Sequence, residues 1–456
     1  MYTTRQFVET GKTVAKDPLV RRTALFFFVV ILFGVSFAGC RRRESISLPE
    51  RRRILPHSGL RFTLLITDEH LAKAVESLSE DWFAQTQSKL IVLPVSDKAV
   101  LEMSSLDADG AILSSHLVGP LAERDALAPL PRDELLSAEA RWETFFERCR
   151  APEASWNGQI VGVPFGGPVF TLYYREDLFE KLGKTPPSTW DEYLDLAAFL
   201  HDRENLENLV PASPMPWCGT IEPLESGWAG LVLLARAAAY RSDSQAAENL
   251  FDPRTMEPRI AEPPVVRALT ELAAAGEYGP KYPTTYTPER AREAFWLGEC
   301  AMAVSWPTAA APLSGIHQGK AVANFAELPG ASEYYDPAGD AWLARDEAPG
   351  RIPLLGVRGL TGVVSKASSR REGMTELLLW LAAQPWNPPP GAASPKTTLY
   401  LDSQANSAES WMERARINPA TFDTDAWEPR SERRVEPLVS SEAAANYGRI
   451  DRKSVV

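Results

Sequence analysis

Apolar residues recur along this chain in two rhythms, and the two alternate in order. Arg61-Phe-Thr-Leu-Leu-Ile-Thr67 is a short β-rich run that predicts a strand. Over 69–87 the apolar residues Leu71, Val75, Leu78 and Trp82 return at helical spacing, with Asp68 placed to cap the helix. Residues 90–95 predict a second strand and 110–113 another. Strand, helix, strand in this order predicts a parallel sheet covered by helices. Further on, 160–164 and 169–174 read as strands, and Thr189 can cap a helix over Trp190–His201. A loop carrying Pro211, Pro214, Pro216 and Pro223 precedes an apolar helix over 227–240. A short helix over 288–297 leads into a strand over 301–305, and the runs 352–357 and 362–365 flank a glycine-containing turn. Over 372–383, Met374, Leu377, Leu378 and Leu381 share one helical face. Residues 386–395 read as a Pro-rich loop, and the tail to Val456 as partly helical with a frayed end. No internal repeat interrupts this order.

The N-terminal segment has a different character. Residues 23–39 are uncharged and apolar behind Arg21 and Arg22, and end in small residues, which describes a secretory signal. As a helix the run would measure roughly 25 Å, short of the roughly 30 Å hydrocarbon core, so a tilted, uncleaved anchor helix is the alternative. Its end, Phe37-Ala38-Gly39-Cys40, resembles a bacterial lipoprotein signal. That resemblance implies that Cys40 becomes the first mature residue and carries the lipid. Residues 41–59, rich in Arg, read as a flexible tether. Either way the rest of the chain lies outside the cytoplasm.

One long stretch carries a family resemblance. Trp156-Asn-Gly-Gln-Ile-Val-Gly-Val-Pro-Phe-Gly-Gly-Pro-Val-Phe-Thr-Leu-Tyr-Tyr-Arg-Glu-Asp-Leu-Phe-Glu-Lys-Leu-Gly183, followed by Pro187-Ser-Thr-Trp-Asp-Glu192, resembles the middle of family 1 extracellular solute-binding proteins, which include maltose-binding protein. Ala294-Phe-Trp-Leu-Gly-Glu-Cys-Ala-Met-Ala-Val-Ser-Trp306 and Gly356-Val-Arg-Gly-Leu-Thr-Gly-Val-Val-Ser-Lys366 are similar to two later motifs of that family, in the same order. The resemblance implies an α/β fold of two lobes, the type II periplasmic-binding-protein architecture, each lobe a mixed sheet flanked by helices, with a cleft between. Its expected division is 1–40 signal, 41–59 tether, 60–166 plus 321–384 first lobe, 167–320 plus 385–445 second lobe, and 446–456 disordered tail. Gly166 and Gly167 supply backbone freedom where the chain changes lobe, and Pro164 stiffens the approach.

The resemblance further implies a ligand-binding component of an ABC importer, with the membrane permease subunits as partners and hinge closure as the mechanism. The expected ligand is a sugar or oligosaccharide, and the expected state a monomer on the outer face of a bacterial membrane. Sugars have apolar faces and hydroxyl rims, so their clefts pair aromatic planes with polar groups. The loops expected at the cleft carry Asp68, Glu69, Ser114, Ser115, Phe165, Gly166, Trp306 and Arg358, with Trp217 and Trp228 in the Pro-rich insert as further candidates. Competing structural roles are helix capping for Asp68 and for Ser114 and Ser115, and core packing for any of the thirteen Trp.

Composition narrows the remaining classes. The 48 basic and 60 acidic residues leave a net charge of -12, which argues against a nucleic-acid partner. Five scattered His show no zincin spacing, and no cofactor motif or Gly-x-Ser-x-Gly elbow appears, so neither cofactor nor metal is expected. Cys149, Cys218 and Cys300 lack CxxC spacing; two of them can pair outside the cytoplasm, and the sequence leaves open which. The alternatives are a ligand-sensing lipoprotein of the same fold and a secreted glycoside hydrolase.

Overall fold

The computed structural model describes residues 57–136, 142–146, 149–206, 209–210, 216–242, 251–252, 255–306, 323–346, 349–350, 359–384 and 398–406. In chain order these build strand β1 (Arg61–Ile66), helices α1 (Glu69–Ser77) and α2 (Ser79–Thr86), and strands β2 (Lys89–Pro94), β3 (Gly110–Ser114) and β4 (Gly162–Pro164). Next come β5 (Thr171–Arg175), α3 (Trp190–His201), β6 (Cys218–Ile221), α4 (Ala229–Ala238), α5 (Pro263–Gly276), α6 (Pro288–Trp296) and β7 (Cys300–Ser305). Strands β8 (Ala323–Glu327), β9 (Glu333–Asp336), β10 (Ala341–Ala344) and β11 (Leu360–Val364) precede helix α7 (Arg371–Ala382). Cys40 and Arg358 lie outside the described residues, as do the apolar run 23–39 and the tail beyond 406.

Two sheets organise these elements. The first has strand order β2-β1-β3-β11-β4, with β1 parallel to β2 and β3, and β11 antiparallel to β3 and β4. The alternation in β1 sends Phe62, Leu64 and Ile66 to one face, where Met374, Leu377, Leu378 and Leu381 of α7 cover them. Leu65 faces the other way, among Ala111, Leu113, Leu117 and Leu121. Burial on both faces is what parallel strands require. The second sheet runs β8-β5-β7-β6, with β6 and β7 parallel and the other pairs antiparallel. Leu172, Met302 and Val304 on one face pack with Tyr193 and Leu196 of α3 and with Val265 and Leu272 of α5. Behind them Arg236, 0% exposed, donates to Glu222 at 2.7 Å and lies 3.8 Å over the Trp190 ring.

The caps expected at Thr189 and Asp68 hold at atomic detail, whereas no side-chain hydrogen bond from Ser114 caps the turn Ser115–Leu117. Thr189 and Glu192 form a reciprocal capping box on α3, and the Asp68 carboxylate accepts from Leu71 N. The helix expected over 69–87 is instead two. Ser77 Oγ donates to Ala74 O and Leu78 N to Val75 O, a local competition that closes α1 before α2 begins.

Two segments sit with the opposite sheet from the one expected. Strand β8, placed by sequence in the first lobe, pairs with β5 from Ala323↔Arg175 to Glu327↔Thr171. The β9–β10 hairpin stays with it, its Trp342 ring 5.8 Å from Tyr240. Return to the first sheet therefore comes only at β11. Residues 398–401, placed by sequence in the second lobe, pack instead beside the first sheet. Phe146 N donates to Tyr400 O at 2.9 Å, and the Tyr400 ring stacks on Phe145 at 6.0 Å. Leu399, Tyr400 and Leu401 are an apolar run that is almost fully buried there.

Candidate functional site

The chain leaves the first sheet at Pro164 and enters the second at Thr171. This crossing is tied to the start of β11: Phe165 N donates to Leu360 O at 2.8 Å, and Leu360 N to Gly166 O at 3.0 Å. Gly166 has φ +133°, a backbone state that side chains oppose. Gly359 has no room for more than hydrogen. A methyl there would stand 2.2 Å from Glu153 Oε2 and 2.6 Å from Gly166 O. Gly167 N donates to Thr398 Oγ1 at 2.8 Å, so the late segment also braces the crossing.

A polar cluster sits at this edge of the first sheet. Ser115 N donates to Gly359 O at 2.8 Å, and Ser115 Oγ donates to Glu153 Oε2 at 3.1 Å. Thr361 Oγ1 lies 3.0 Å from Ser115 Oγ and 3.3 Å from Glu153 O. Each hydroxyl has one proton. With the Ser115 proton on Glu153, that of Thr361 chooses between Ser115 and the Glu153 carbonyl. Ser115, His116, Ser155, Trp156, Glu123 and Glu153 all line a cavity of about 480 Å³. Trp156 is half-buried and enters on a tight hairpin, Ser155–Trp156 against Gln159–Ile160, turned by Asn157 and Gly158 with φ of 47° and 74°. Its ring lies against Gly119, where a methyl would meet it at 3.0 Å.

The second sheet brings aromatic rings to the same crossing. Thr171 pairs with Ser305, so the end of β7 is level with the start of β5. Trp306 follows at once, 5.8 Å from Phe170 and 5.3 Å from Trp228 by ring centroid. Arg292 Nη1 donates to Trp306 O at 3.1 Å, and Ser305 Oγ to Pro288 O at 2.8 Å. Trp306 is 1% exposed, whereas Trp228 is half-buried.

The residues expected from sequence therefore divide. Ser115, Phe165, Gly166, Trp228 and Trp306 gather at the crossing. Asp68 and Ser114 reach the same sheet edge, since Thr67 N donates to Ile112 O and Ser114 N to Thr67 Oγ1. Both act locally: Asp68 caps α1, and Ser114, fully buried, donates to Asp97 at 3.0 Å. Glu69 is exposed on the first turn of α1. Trp217 lies elsewhere. It precedes Cys218, which pairs with Cys300 at the start of β7, whereas Ser305 at its end marks the crossing. At about 3.3 Å per residue this puts Trp217 on the order of 16 Å away along the strand. There its indole donates to Leu200 O at 2.7 Å, and Trp217 itself packs into the core of the second sheet. Sequence reading missed Glu153, Trp156, Thr361 and Phe170. Trp156 and Phe170 stood inside the long motif itself, and Thr361 inside the glycine-rich turn; Glu153 had no local signal.

Residues 95–385 match the family model for bacterial extracellular solute-binding proteins. The chain belongs to that family. The match takes in the second sheet, the crossing and strands β3, β4 and β11 of the first sheet, and it places this solute-binding protein outside the cytoplasm. Solved structures agree in fold. An ABC transporter solute-binding protein from Agrobacterium radiobacter K84, in complex with ribitol, is similar at 18% identity over 78% of this chain and 84% of that one, with a TM-score of 0.52. The maltose-bound MalE3 of T. maritima is 22% identical over 71% of this chain and 77% of its own, also at 0.52. A third, from Agrobacterium vitis S4 with bound D-mannitol, shares 15% identity over 77% and 80%, again at 0.52. The solute-binding protein's mixed sheets and flanking helices are thus the two-lobe fold of this family.

Proposed function

We propose that this solute-binding protein captures a sugar or polyol at the crossing between its sheets and delivers it, unchanged, to the permease of an ABC importer. The observation that carries the reading is the pairing of a polar edge, Ser115, Glu153 and Thr361, with an aromatic edge, Phe170, Trp228 and Trp306, on either side of Gly166. Hydroxyls of a polyol suit the first, and the apolar face of a sugar ring suits the second. Ribitol, maltose and D-mannitol on the solved relatives belong to the same ligand class. A ligand touching both edges stabilises the closed arrangement, because only that state satisfies both sets of contacts.

The test is a thermal-shift titration of the soluble chain from Ile54 onward against ribitol, D-mannitol and maltose. Saturable stabilisation is expected, reaching about 2.7 kcal/mol at a hundredfold excess over Kd, with the ligand recovered intact. Chemical turnover of an oligosaccharide would replace this reading with a hydrolase. Stabilisation by none of the three at millimolar concentration would end the polyol reading.

Cys40 supplies the membrane attachment in this proposal, as the lipidated first residue of the mature chain. Cys40→Ser is expected to move the protein out of detergent-extracted membranes into the soluble fraction only if processing follows the lipoprotein route. Retention in the membrane would assign the anchor to the apolar run 23–39 instead.

A further inference from the structure

The three remaining cysteines are placed very differently. Cys149 begins the turn Cys149–Glu153 beside the first sheet, its N–H donating to Phe146 O at 3.0 Å. Cys218 and Cys300 are Cα partners on neighbouring parallel strands of the second sheet, the first pair of the β6–β7 register. Cys218 N donates to Glu299 O at 2.9 Å, which fixes that register at its end. Both side chains enter the same apolar cluster, so they leave the sheet on one face. Hydrogen-bonded strands lie about 4.7–4.9 Å apart, inside the roughly 4.4–6.8 Å Cα separation that disulfides take. Both sulfurs are free thiols in the structure, and the family works where disulfides persist.

We propose that Cys218 and Cys300 are joined by an intramolecular disulfide in the exported protein, with a disulfide-donating thiol oxidase of the extracytoplasmic compartment as the oxidant. Two S–H bonds break and one S–S bond forms. Two electrons and two protons pass to the oxidase, whose disulfide becomes a dithiol. The bond closes the chain between β6 and β7 and so constrains α4, α5 and α6, the helices between them. Timing follows from burial. Burial, and then the Glu299 carboxylate, push the Cys218 thiol up to about 11, and burial pushes Cys300 up as well. Buried neutral thiols are poor nucleophiles. The bond therefore forms before the sheet closes, and afterwards the same burial shields it from reductants.

The experiment is differential alkylation of the full chain purified from cells that export it, unfolded in guanidinium with and without prior reduction, followed by peptide mass mapping. Peptides holding Cys218 and Cys300 are expected to take up the alkylating agent only after reduction, and to appear beforehand as one linked species lacking two hydrogens. Cys149 is expected to react in both samples, and a Cys300→Ser chain to expose Cys218 without reduction. Alkylation of both cysteines in the unreduced exported protein overturns the proposal, as does a link from either to Cys149 or Cys40. A parallel sample, reduced, unfolded and refolded with oxidised glutathione, is expected to regain the same link. Its failure to do so overturns the geometric basis.

Discussion

The two sheet edges at the crossing are built from different chemistry and held in place by different means. On the first sheet the edge is polar and fixed by hydrogen bonds: Ser115 is bound through its backbone to Gly359 and through its hydroxyl to Glu153, with Thr361 alongside. On the second sheet the edge is aromatic and fixed by packing, with Trp306 held between Phe170 and Trp228 and tied at its carbonyl by Arg292. A polar edge discriminates, because a buried hydroxyl partner left unmatched costs about 1–3 kcal/mol. An aromatic edge tolerates, because any ring or chain with an apolar face can lie on it. Under the proposed function, this difference gives selection among ligands to the first sheet and general affinity to the second.

The sharpest way to break this division is Trp306→Ala. Truncating a ring that is 1% exposed is expected to cost about 3–5 kcal/mol of stability, with affinity for the preferred ligand lost as well. A large loss of affinity with the unfolding midpoint unchanged would mean that Trp306 is ligand surface and not core. Gly359→Ala comes next. Its methyl meets both Glu153 Oε2 and Gly166 O, so the Glu153 carboxylate must move and the crossing must open. Affinity is expected to fall at least tenfold by calorimetry, together with a loss of about 1–3 kcal/mol in stability. Unchanged affinity would remove Glu153 from the site.

Trp228→Ala and Trp217→Phe form a matched pair of smaller effects. Trp228 is partly exposed at the crossing, so its loss is expected to weaken binding about tenfold while the fold is kept. Trp217→Phe removes the indole donor to Leu200 O and is expected to cost about 1 kcal/mol in stability with no change in affinity. If Trp217→Phe weakened binding and Trp228→Ala did not, the aromatic edge would be misassigned.

That reversal would also restore what the sequence suggested, since both Trp residues stood there as equals. Their separation depends on strand register: one precedes β6 and the other follows it, and only the pairing of β6 with β7 tells which end faces the crossing. Local signals fared better. The cap at Thr189, the cap at Asp68 and the strand β1 all depend on residues within one turn or one run, and the structure places them as read. Strand β8 was missed because Ala-Asn-Phe-Ala-Glu is short and only weakly apolar; its identity comes from pairing with the fully buried Thr171–Arg175. Glu153 was missed for a related reason. Its significance arises only where Ser115, Thr361 and Gly359 converge on it from elements far apart in the chain.

A last test addresses the second sheet away from the site. In the reduced protein the Cys218 thiol is raised from 9.0 to about 11, by burial first and then by Glu299. Cys300 is raised by burial, by Cys218 and by Glu299, against a lowering from Arg175; Tyr286 faces both thiols. The folded state thus resists ionisation that the unfolded chain undergoes freely. Stability from this source is whole below about pH 9 and is lost as pH climbs through about 11. The oxidised protein has no thiol at either position, so it lacks that loss. The gap between the unfolding midpoints of oxidised and reduced protein is therefore expected to widen between pH 9 and 11, and Tyr and Lys ionisations common to both forms cancel from it. A gap that stays flat through this window would mean that the paired thiols are not buried together in the folded sheet.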